Sequence, residues 1–553
     1  MHRLLLITSS ALMACTGSDD ATDTEDTELP AAPTACDVLE LPALAFDESS
    51  PTGTFRRDLA ADFTVPVVGG GEWSLKDNWS GCESVIVLPP GIAISGNKTQ
   101  SWWTTDVGEL IAKSPPNVTY IFMFRASGAL DLDETTTALQ ANIDAALAGL
   151  SEEDAAWWRE RLIVVSERAY ELTEEGNWVA EVIRSGQANT GLAIDRFQRV
   201  RGLGSFATVE NYDGTVQGWP FEAHLYAAAN EAVYFNFEVE RQERLDAIDA
   251  TVVPMLGGDV VEQFADAPVT FPDATTMATF DTLEIDILME CQYPELTEGA
   301  ADPERPGNNN AGNCGPWDYL AHMWLYDGEE RYEMARFITT YRRESRWVVD
   351  ASHALAWLQE GGERQLRYEW APPWNKQPTA VTASFRLSNQ GKGMRPVQAI
   401  PLYAGGSFNA DYNAARPEKD VDIPASAKKV DLVAIITGHG AETSLQCAEF
   451  CDHRHTFAVG REVLIKEHPE ANSQTACQED VANGTVPNQG GTWWFGRGGW
   501  CPGKEVIPWV TDVTAAVTVG GTTTVDYSAT AEGREPNTNY GTINMQSWLV
   551  VYE

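Results

Sequence analysis

Two rhythms of apolar and polar residues divide the chain. Up to about residue 250 the apolar residues come in short unbroken runs: Ser84-Val85-Ile86-Val87-Leu88, Tyr120-Ile121-Phe122-Met123-Phe124 and Leu162-Ile163-Val164-Val165. Runs of this length read as buried strands. Between the last two lies a helical stretch around residues 134–148. Ser151 follows with Asp154 three residues later, a capping arrangement that opens a helix carrying Trp157 and Trp158. Strands alternating with helices predict an α/β domain over residues 36–250 with a largely parallel sheet. From about residue 254 the period shortens to two. Thr282-Leu283-Glu284-Ile285-Asp286-Ile287-Leu288 and Tyr319-Leu320-Ala321-His322-Met323-Trp324-Leu325-Tyr326 alternate as half-buried strands do, with Gly/Pro/Asn clusters between such segments. This texture predicts two β-sandwiches, over residues 254–388 and 393–553, joined through the turn-rich Ser388-Asn389-Gln390-Gly391-Lys392-Gly393.

Composition narrows the class. A chain of 553 residues, 43% hydrophobic and 22% charged, fits several globular domains. The balance of 38 basic against 81 acidic residues, a net charge of -43, argues against nucleic acid as a partner, because phosphate binding needs basic surface. Such acidity reads as a solubility device. The first residues add more. His2 and Arg3 make a basic start, Leu4 to Ile7 an apolar core, and Leu12-Met13-Ala14-Cys15 the small-residue cleavage pattern of an exported protein. A cysteine at that point resembles a bacterial lipobox, with residues 1–15 as the signal and Cys15 carrying the lipid; an ordinary secretory signal is the alternative. The apolar stretch is far shorter than the roughly 20 residues that span a bilayer, so the membrane is met through the lipid anchor only. Asp19, Asp20, Asp23, Glu25, Asp26 and Glu28 among small polar residues make 16–35 an acidic disordered tether. The expectation is a monomeric exported bacterial lipoprotein at the outer membrane or cell surface. Export lets disulfides persist. With Cys15 set aside, the other eight of nine cysteines fall into local pairs, Cys36 with Cys82, Cys291 with Cys314, Cys447 with Cys451 and Cys477 with Cys501. Spacing leaves that connectivity open.

Chemistry gathers in three motifs of the second half. Cys314-Gly315-Pro316-Trp317-Asp318-Tyr319 puts a carboxylate beside an indole at a strand edge. Cys447-Ala448-Glu449-Phe450-Cys451 traps a glutamate in a tight loop which, once closed, aims its carboxylate in one direction. Trp493-Trp494-Phe495-Gly496-Arg497-Gly498-Gly499-Trp500-Cys501-Pro502-Gly503 sets one arginine among aromatic faces, a combination suited to a sugar or polar amide. Singly, each is as well explained as a strand end or a staple. In order, with Arg336-Phe337-Ile338-Thr339-Thr340-Tyr341, Glu369 and His455-Thr456 between them, they resemble the peptide-N-glycosidase F family. That family's pattern is Cys-x-x-Trp-Asp, Arg-Phe-Ile-Thr-x-Tyr, a later Glu, Cys-Ala-Glu-aromatic-Cys with His-Thr, and Arg-x-Gly-Trp-Cys-Pro-Gly. The resemblance covers roughly residues 254–553.

It implies a mainly β protein, with two adjacent eight-stranded antiparallel jelly rolls behind the α/β domain and an active site in the cleft between them. It implies an amidase that cuts the bond joining an N-glycan to asparagine in N-glycosylated proteins or glycopeptides, with no cofactor and no metal. Carried over by position, Asp318 is the principal catalytic carboxylate, Glu449 the second essential acid and Glu369 a third, in a loosely aligned stretch. Arg497 falls near the catalytic centre, and Trp317 and Trp500 among the cleft aromatics. Tyr319 replaces the family's arginine after the catalytic Asp, and His439, in Thr437-Gly438-His439-Gly440, replaces a tryptophan. Both positions lie where the family holds the chitobiose core. The Cys291 to Cys314 segment is longer than the family's loop, and its Glu298, Asp302, Glu304 and Asn308-Asn309-Asn310 read as a solvated acidic loop rather than a calcium site. In the N-terminal domain, Trp73-Ser74-Leu75 ahead of the first strand and Gly191-Leu192-Ala193-Ile194-Asp195 late give an order that resembles a thioredoxin-like domain. It has no Cys-x-x-Cys pair, so Cys82 reads as structural. Three rival readings fit less well. Copper-dependent hydroxylating monooxygenases share the paired jelly rolls, and His453-x-His455 offers two ligands, but no methionine ligand motif accompanies it. A glycan-binding lipoprotein without catalysis has no need to keep Asp318, Glu449 and Arg497. A glycoside hydrolase leaves the first sugar on the protein.

Overall fold

The unbroken apolar runs of the N-terminal part assemble into one five-stranded sheet. The computed structural model describes residues 33–553 apart from 91–92, 96–97, 126–129, 173–176, 185–190, 205, 207–223, 294–313, 375–377 and 441–446. The signal, Cys15, most of the acidic tether and the acidic loop after Cys291 lie outside the described residues. The sheet contains β1 (Ser84–Leu88), β2 (Val118–Phe122), β3 (Leu162–Val164), β4 (Leu192–Ile194) and β5 (Val200–Gly202), in the order β3-β2-β1-β4-β5. Every position of β1 and β2 is buried because both faces are covered. Ile86, Leu88, Tyr120 and Phe122 pack with Leu110 of α1 (Val107–Lys113), Leu139 of α2 (Leu132–Leu147) and Trp158 of α3 (Glu152–Arg159). Val85, Val87, Ile121 and Met123 pack with Phe63, Trp73 and Val179. Helix α3 opens on Ser151, whose side chain accepts from the Asp154 amide.

The expected largely parallel sheet is mixed. Strands β3, β2 and β1 run parallel, whereas β4 and β5 form an antiparallel hairpin on β1. The tight turn between β4 and β5 accounts for their own antiparallel pairing. Asp195 accepts hydrogen bonds from the amides of Phe197 and Arg199, each at 3.0 Å, and a turn this tight leaves no room for the crossover that a parallel pair needs. The chain then enters the long helix α4 (Ala227–Asp246).

The alternating half folds as two sandwiches of identical topology. The first uses β6 (Ala250–Val261), β7 (Phe264–Asp273), β8 (Thr282–Cys291), β9 (Leu320–Asp327), β10 (Glu330–Ile338), β11 (Ser345–Asp350), β12 (Gly361–Glu369) and β13 (Thr379–Ser388). Its two four-stranded sheets run β6-β13-β8-β11 and β7-β12-β9-β10. The second uses β14 (Pro396–Ser407), β15 (Lys419–Asp422), β16 (Lys429–His439), β17 (His453–Val459), β18 (Glu462–Glu467), β19 (Trp509–Asp512), β20 (Thr522–Ala531) and β21 (Thr542–Tyr552). Its sheets run β14-β21-β16-β19 and β15-β20-β17-β18, the same first-eighth-third-sixth and second-seventh-fourth-fifth order. All pairs are antiparallel, so these are two jelly rolls. Each buries its own alternating residues, Ile285, Ile287, Phe337 and Phe385 in the first, Leu432, Phe457, Val525 and Leu549 in the second. All four cysteine pairs named from spacing are disulfides.

The jelly rolls meet along one side of β10. Ile338 donates its amide to Lys504 and Val506 donates to Arg336, at 3.0 and 2.9 Å. Ile338, Val433, Ile435, Trp500, Val506 and Trp548 form a small apolar cluster between them. Helix α4 closes the assembly from behind. Its Glu231, 0% exposed, accepts from Arg343 of the first jelly roll at 2.7 Å and from Asn488 of the second at 2.9 Å. Trp493 and Trp494 are buried in the core of the N-terminal domain. Among the described residues no helix is long and apolar enough to cross a membrane.

Candidate active site

Three local devices aim side chains into the cleft between the jelly rolls. The first holds Asp318. Thr339 accepts from the Tyr319 amide at 2.7 Å and donates its hydroxyl to the Trp317 carbonyl at 2.9 Å, pinning the segment that enters β9. The second holds Glu449. The Cys447–Cys451 disulfide closes the one-turn helix α5 (Cys447–Phe450), and Gly440 donates its amide to the Glu449 carboxylate at 3.0 Å. The third is the loop of Arg497, where Gly498 donates its amide to the Glu449 carbonyl at 2.8 Å. The two glycines after Arg497 are needed for this approach. A Cβ at Gly498 would run into the His453 ring and stand 2.6 Å from the Ala448 carbonyl oxygen, and Gly499 has a φ of +85°.

Arg497 joins the carboxylates. It is 1% exposed, with Nε 3.2 Å from Glu449 Oε1 and Nη2 3.6 Å from Asp318 Oδ2. Its remaining donors meet the Phe495 carbonyl at 2.9 Å and the Thr492 carbonyl at 3.3 Å, and its plane lies over Trp500 with 4.8 Å to the ring centre. Tyr341 completes the group. Its hydroxyl donates to Asp318 and accepts from Arg497 at 3.3 Å, and burial keeps it a phenol by pushing its pKa well above the usual value. Burial likewise pushes the Asp318 carboxyl up to about 6, an effect that Arg497 and the Tyr341 hydrogen bond oppose and the Glu449 charge reinforces.

The cleft has a volume of about 1100 Å³ and includes Trp317, Asp318, Tyr319, Tyr341, His439, Glu449, Arg497 and Trp500 in its wall. Trp317 is 44% exposed at the rim. His439 stacks on Trp500 at 5.0 Å between centroids and shares a hydrogen bond with Thr437 at 2.9 Å. Burial lowers its pKa to about 3, so it is a neutral ring. Glu369 is not brought into this wall. It ends β12, paired across the sheet with Phe264 on one side and His322 on the other. In the cross-strand row that leads from Glu369 through His322 toward the second jelly roll, the next residue is Arg336. Arg336, 2% exposed, is clamped by Glu333 at 2.7 Å and donates across the interface to Thr437 at 2.9 Å. His453 and His455 are buried and lie outside the wall of the cleft.

Residues 407–550 match the family described as peptide-N-glycosidase F, C terminal. Among curated proteins, the peptide-N(4)-(N-acetyl-beta-D-glucosaminyl)asparagine amidase F of Elizabethkingia miricola is 25% identical over 293 residues, covering 49% of this chain and 73% of the relative. The second jelly roll of this chain is thus similar to the C-terminal domain of peptide-N-glycosidase F. Among solved structures, PNGase F from Flavobacterium meningosepticum, titled a glycosylasparaginase, is 18% identical, covering 55% of this chain and 96% of that one with a TM-score of 0.40. PNGF-II is 10% identical, covering 57% and 67%, also with a TM-score of 0.40. The cleft wall contains one group that sequence reasoning did not single out as a site residue, Tyr341, and a buried bridge between the jelly rolls lies outside that wall. Tyr341 closes the Arg336 to Tyr341 motif, which had marked it only as part of a pattern. The contact of the Glu333–Arg336 pair with Thr437 had no local signal, because its two sides come from different domains.

Proposed function

We propose that the chain is a peptide-N-glycosidase: it hydrolyses the side-chain amide of a glycosylated asparagine, releasing the N-glycan intact and leaving aspartate. The observation that carries this reading is the pair Asp318 and Glu449 on one buried guanidinium at the junction of the jelly rolls. A relative named as an asparagine amidase aligns with about half of the chain. Asp318 takes a proton from water, whose oxygen attacks the amide carbon of the asparagine side chain. A carboxyl with a pKa of about 6 is ionised at neutral pH and still basic enough for this transfer. Arg497 faces the oxyanion that forms, and its fixed hydrogen bonds mean that it need not reorganise. Collapse breaks the carbon–nitrogen bond, and the proton held on Asp318 passes to the departing glycosylamine. Glu449, held by the Gly440 amide, orients the first sugar. Trp317, Trp500 and the neutral ring of His439 supply stacking faces.

The test uses an N-glycosylated peptide and mass spectrometry of both products. The expected result is an intact glycan and a peptide with Asn converted to Asp, with turnover at least 100-fold lower in Asp318→Asn, within the range for loss of a general base. A sugar stub left on asparagine, or near-normal turnover by folded Asp318→Asn protein, overturns the reading. We also propose, from the sequence pattern alone, export and lipid attachment at Cys15. Labelled palmitate should enter the wild-type chain and not Cys15→Ser, and equal labelling of both would refute it.

A further inference from the structure

Directly behind Arg497 lies a cluster that the proposed hydrolysis does not use. His453 and His455 on β17 are each 0% exposed, and His468, just after β18, is 2% exposed. The two residues of β17 share a face because they are two apart in a strand, and His468 donates its amide to the His453 carbonyl at 3.3 Å, which brings the third ring to the first two. One ligand nitrogen from each ring lies within 4.8 Å of the other two.

The other ring nitrogens have outer partners. His455 Nδ1 meets the Tyr527 hydroxyl at 2.7 Å, and His468 Nδ1 meets the Glu470 carboxylate at 2.9 Å. A carboxylate or hydroxyl on the far nitrogen is how metal-ligating imidazoles are held in orientation. His453 Nε2 lies against the Ala448 carbonyl without a well-aligned hydrogen bond, and His468 Nε2 is buried with no hydrogen-bond partner. Leaving such nitrogens unsatisfied is costly. A cavity of about 290 Å³ is lined by His468, Glu470, Gly499 and Trp500 but not by His453 or His455, so it approaches the cluster from the His468 side.

We propose that His453, His455 and His468 bind one divalent transition metal of the zinc class, and that the metal stiffens the floor beneath Arg497 and Glu449. Three imidazoles without a hard oxygen donor suit zinc rather than calcium or magnesium. The ligands are His455 Nε2, His468 Nε2 and one nitrogen of His453. His453 Nδ1 and His455 Nε2 lie 2.7 Å apart, and a metal at about 2.0–2.1 Å from each separates them by a small ring rotation. The position explains the stiffening role. His453 blocks any side chain at Gly498, and a Cβ at Gly499 would stand 2.7 Å from His468 Cε1. The two rings therefore support the residues that follow Arg497. This inference does not depend on the amidase reading.

The experiment strips the purified full chain of metal, titrates it with zinc chloride against a competing chelating dye, and follows the melting temperature. The expected result is one zinc per chain, a higher melting temperature with zinc, and no stoichiometric uptake by His468→Ala. Where that variant does not fold, Glu470→Gln serves, with affinity expected to fall 10–100-fold. The proposal is overturned by a folded wild-type chain that takes up less than one equivalent with no change in melting. Unchanged uptake by folded His468→Ala, or unchanged affinity in Glu470→Gln, overturns it equally.

Discussion

Asp318 shows how one side chain can cost stability and serve chemistry. Its carboxyl is raised to about 6 because burial outweighs the Arg497 charge, and its side chain is only 16% exposed, so solvent screens little of this. A carboxyl raised above its unfolded value favours the native state at low pH, and that contribution is lost as pH rises from near 4 through about 6. A shift of about two units corresponds to about 3 kcal/mol. Asp318→Asn, which stays neutral, should remove this slope. Urea denaturation at pH 4 and pH 7 is therefore expected to show the variant gaining on the wild type by up to about 3 kcal/mol at the higher pH. The same ionisation governs the proposed catalysis. Wild-type kcat/KM should fall tenfold per unit as pH drops below about 6, and a flat profile down to pH 4.5 would remove Asp318 from the role of base. Sequence reasoning named Asp318, Glu449 and Arg497 because each lies inside a motif framed by cysteine or tryptophan. Tyr341 was legible only as the end of a pattern, since it and Asp318 stand at the open end of the β9–β10 hairpin, distant in sequence. Glu369 shows the reverse case, an acid in a loosely aligned strand that the register sets beside His322 and outside the cleft wall.

At the scale of elements, alternation carried most of the information. A period of two over Thr282–Cys291 and Leu320–Asp327 is enforced because one face of each strand packs into a sandwich core. The mixed N-terminal sheet was less legible. A three-residue strand such as Leu192–Ile194 is too short to declare its direction, and the Asp195 turn that reverses it has no apolar pattern. The loop Cys447–Cys451 is the element whose closure matters most for the cleft. Its disulfide holds a single helical turn that would not persist alone, and Glu449 leaves from that turn. In the chain-entropy account so short a loop contributes about 2 kcal/mol. The double variant Cys447→Ser with Cys451→Ser should lose roughly that much stability and, with Glu449 free to turn, at least tenfold in kcat/KM. Stability loss with unchanged kcat/KM would show that the Gly440 amide alone suffices to aim the carboxylate.

At the scale of the whole molecule, the N-terminal domain is built into the back of the cleft. Glu231 of α4, 0% exposed, pairs with Arg343 at 2.7 Å and accepts from Asn488 at 2.9 Å, so one buried carboxylate ties all three domains together. The segment it holds is the one that shapes the site. Gln489 accepts from the Tyr341 amide at 2.8 Å, Trp493 and Trp494 are sunk in the N-terminal core, and Arg497 follows three residues later. Nothing local in the sequence announces this joint, because Glu231, Arg343 and Asn488 are far apart along the chain. Removing one partner of a buried ion pair costs about 3–5 kcal/mol, because the other charge stays buried and unpaired. Glu231→Ala should therefore lower the melting temperature and also slow turnover, as Arg343 and the 488–494 segment loosen together. Glu231→Gln retains hydrogen-bonding groups for Arg343 and Asn488 and should recover part of both. If the joint only holds domains together, kcat measured well below the variant's melting temperature will match wild type. If it also positions the cleft, kcat will fall in Glu231→Ala, recover in Glu231→Gln, and leave the pH limb near 6 in place.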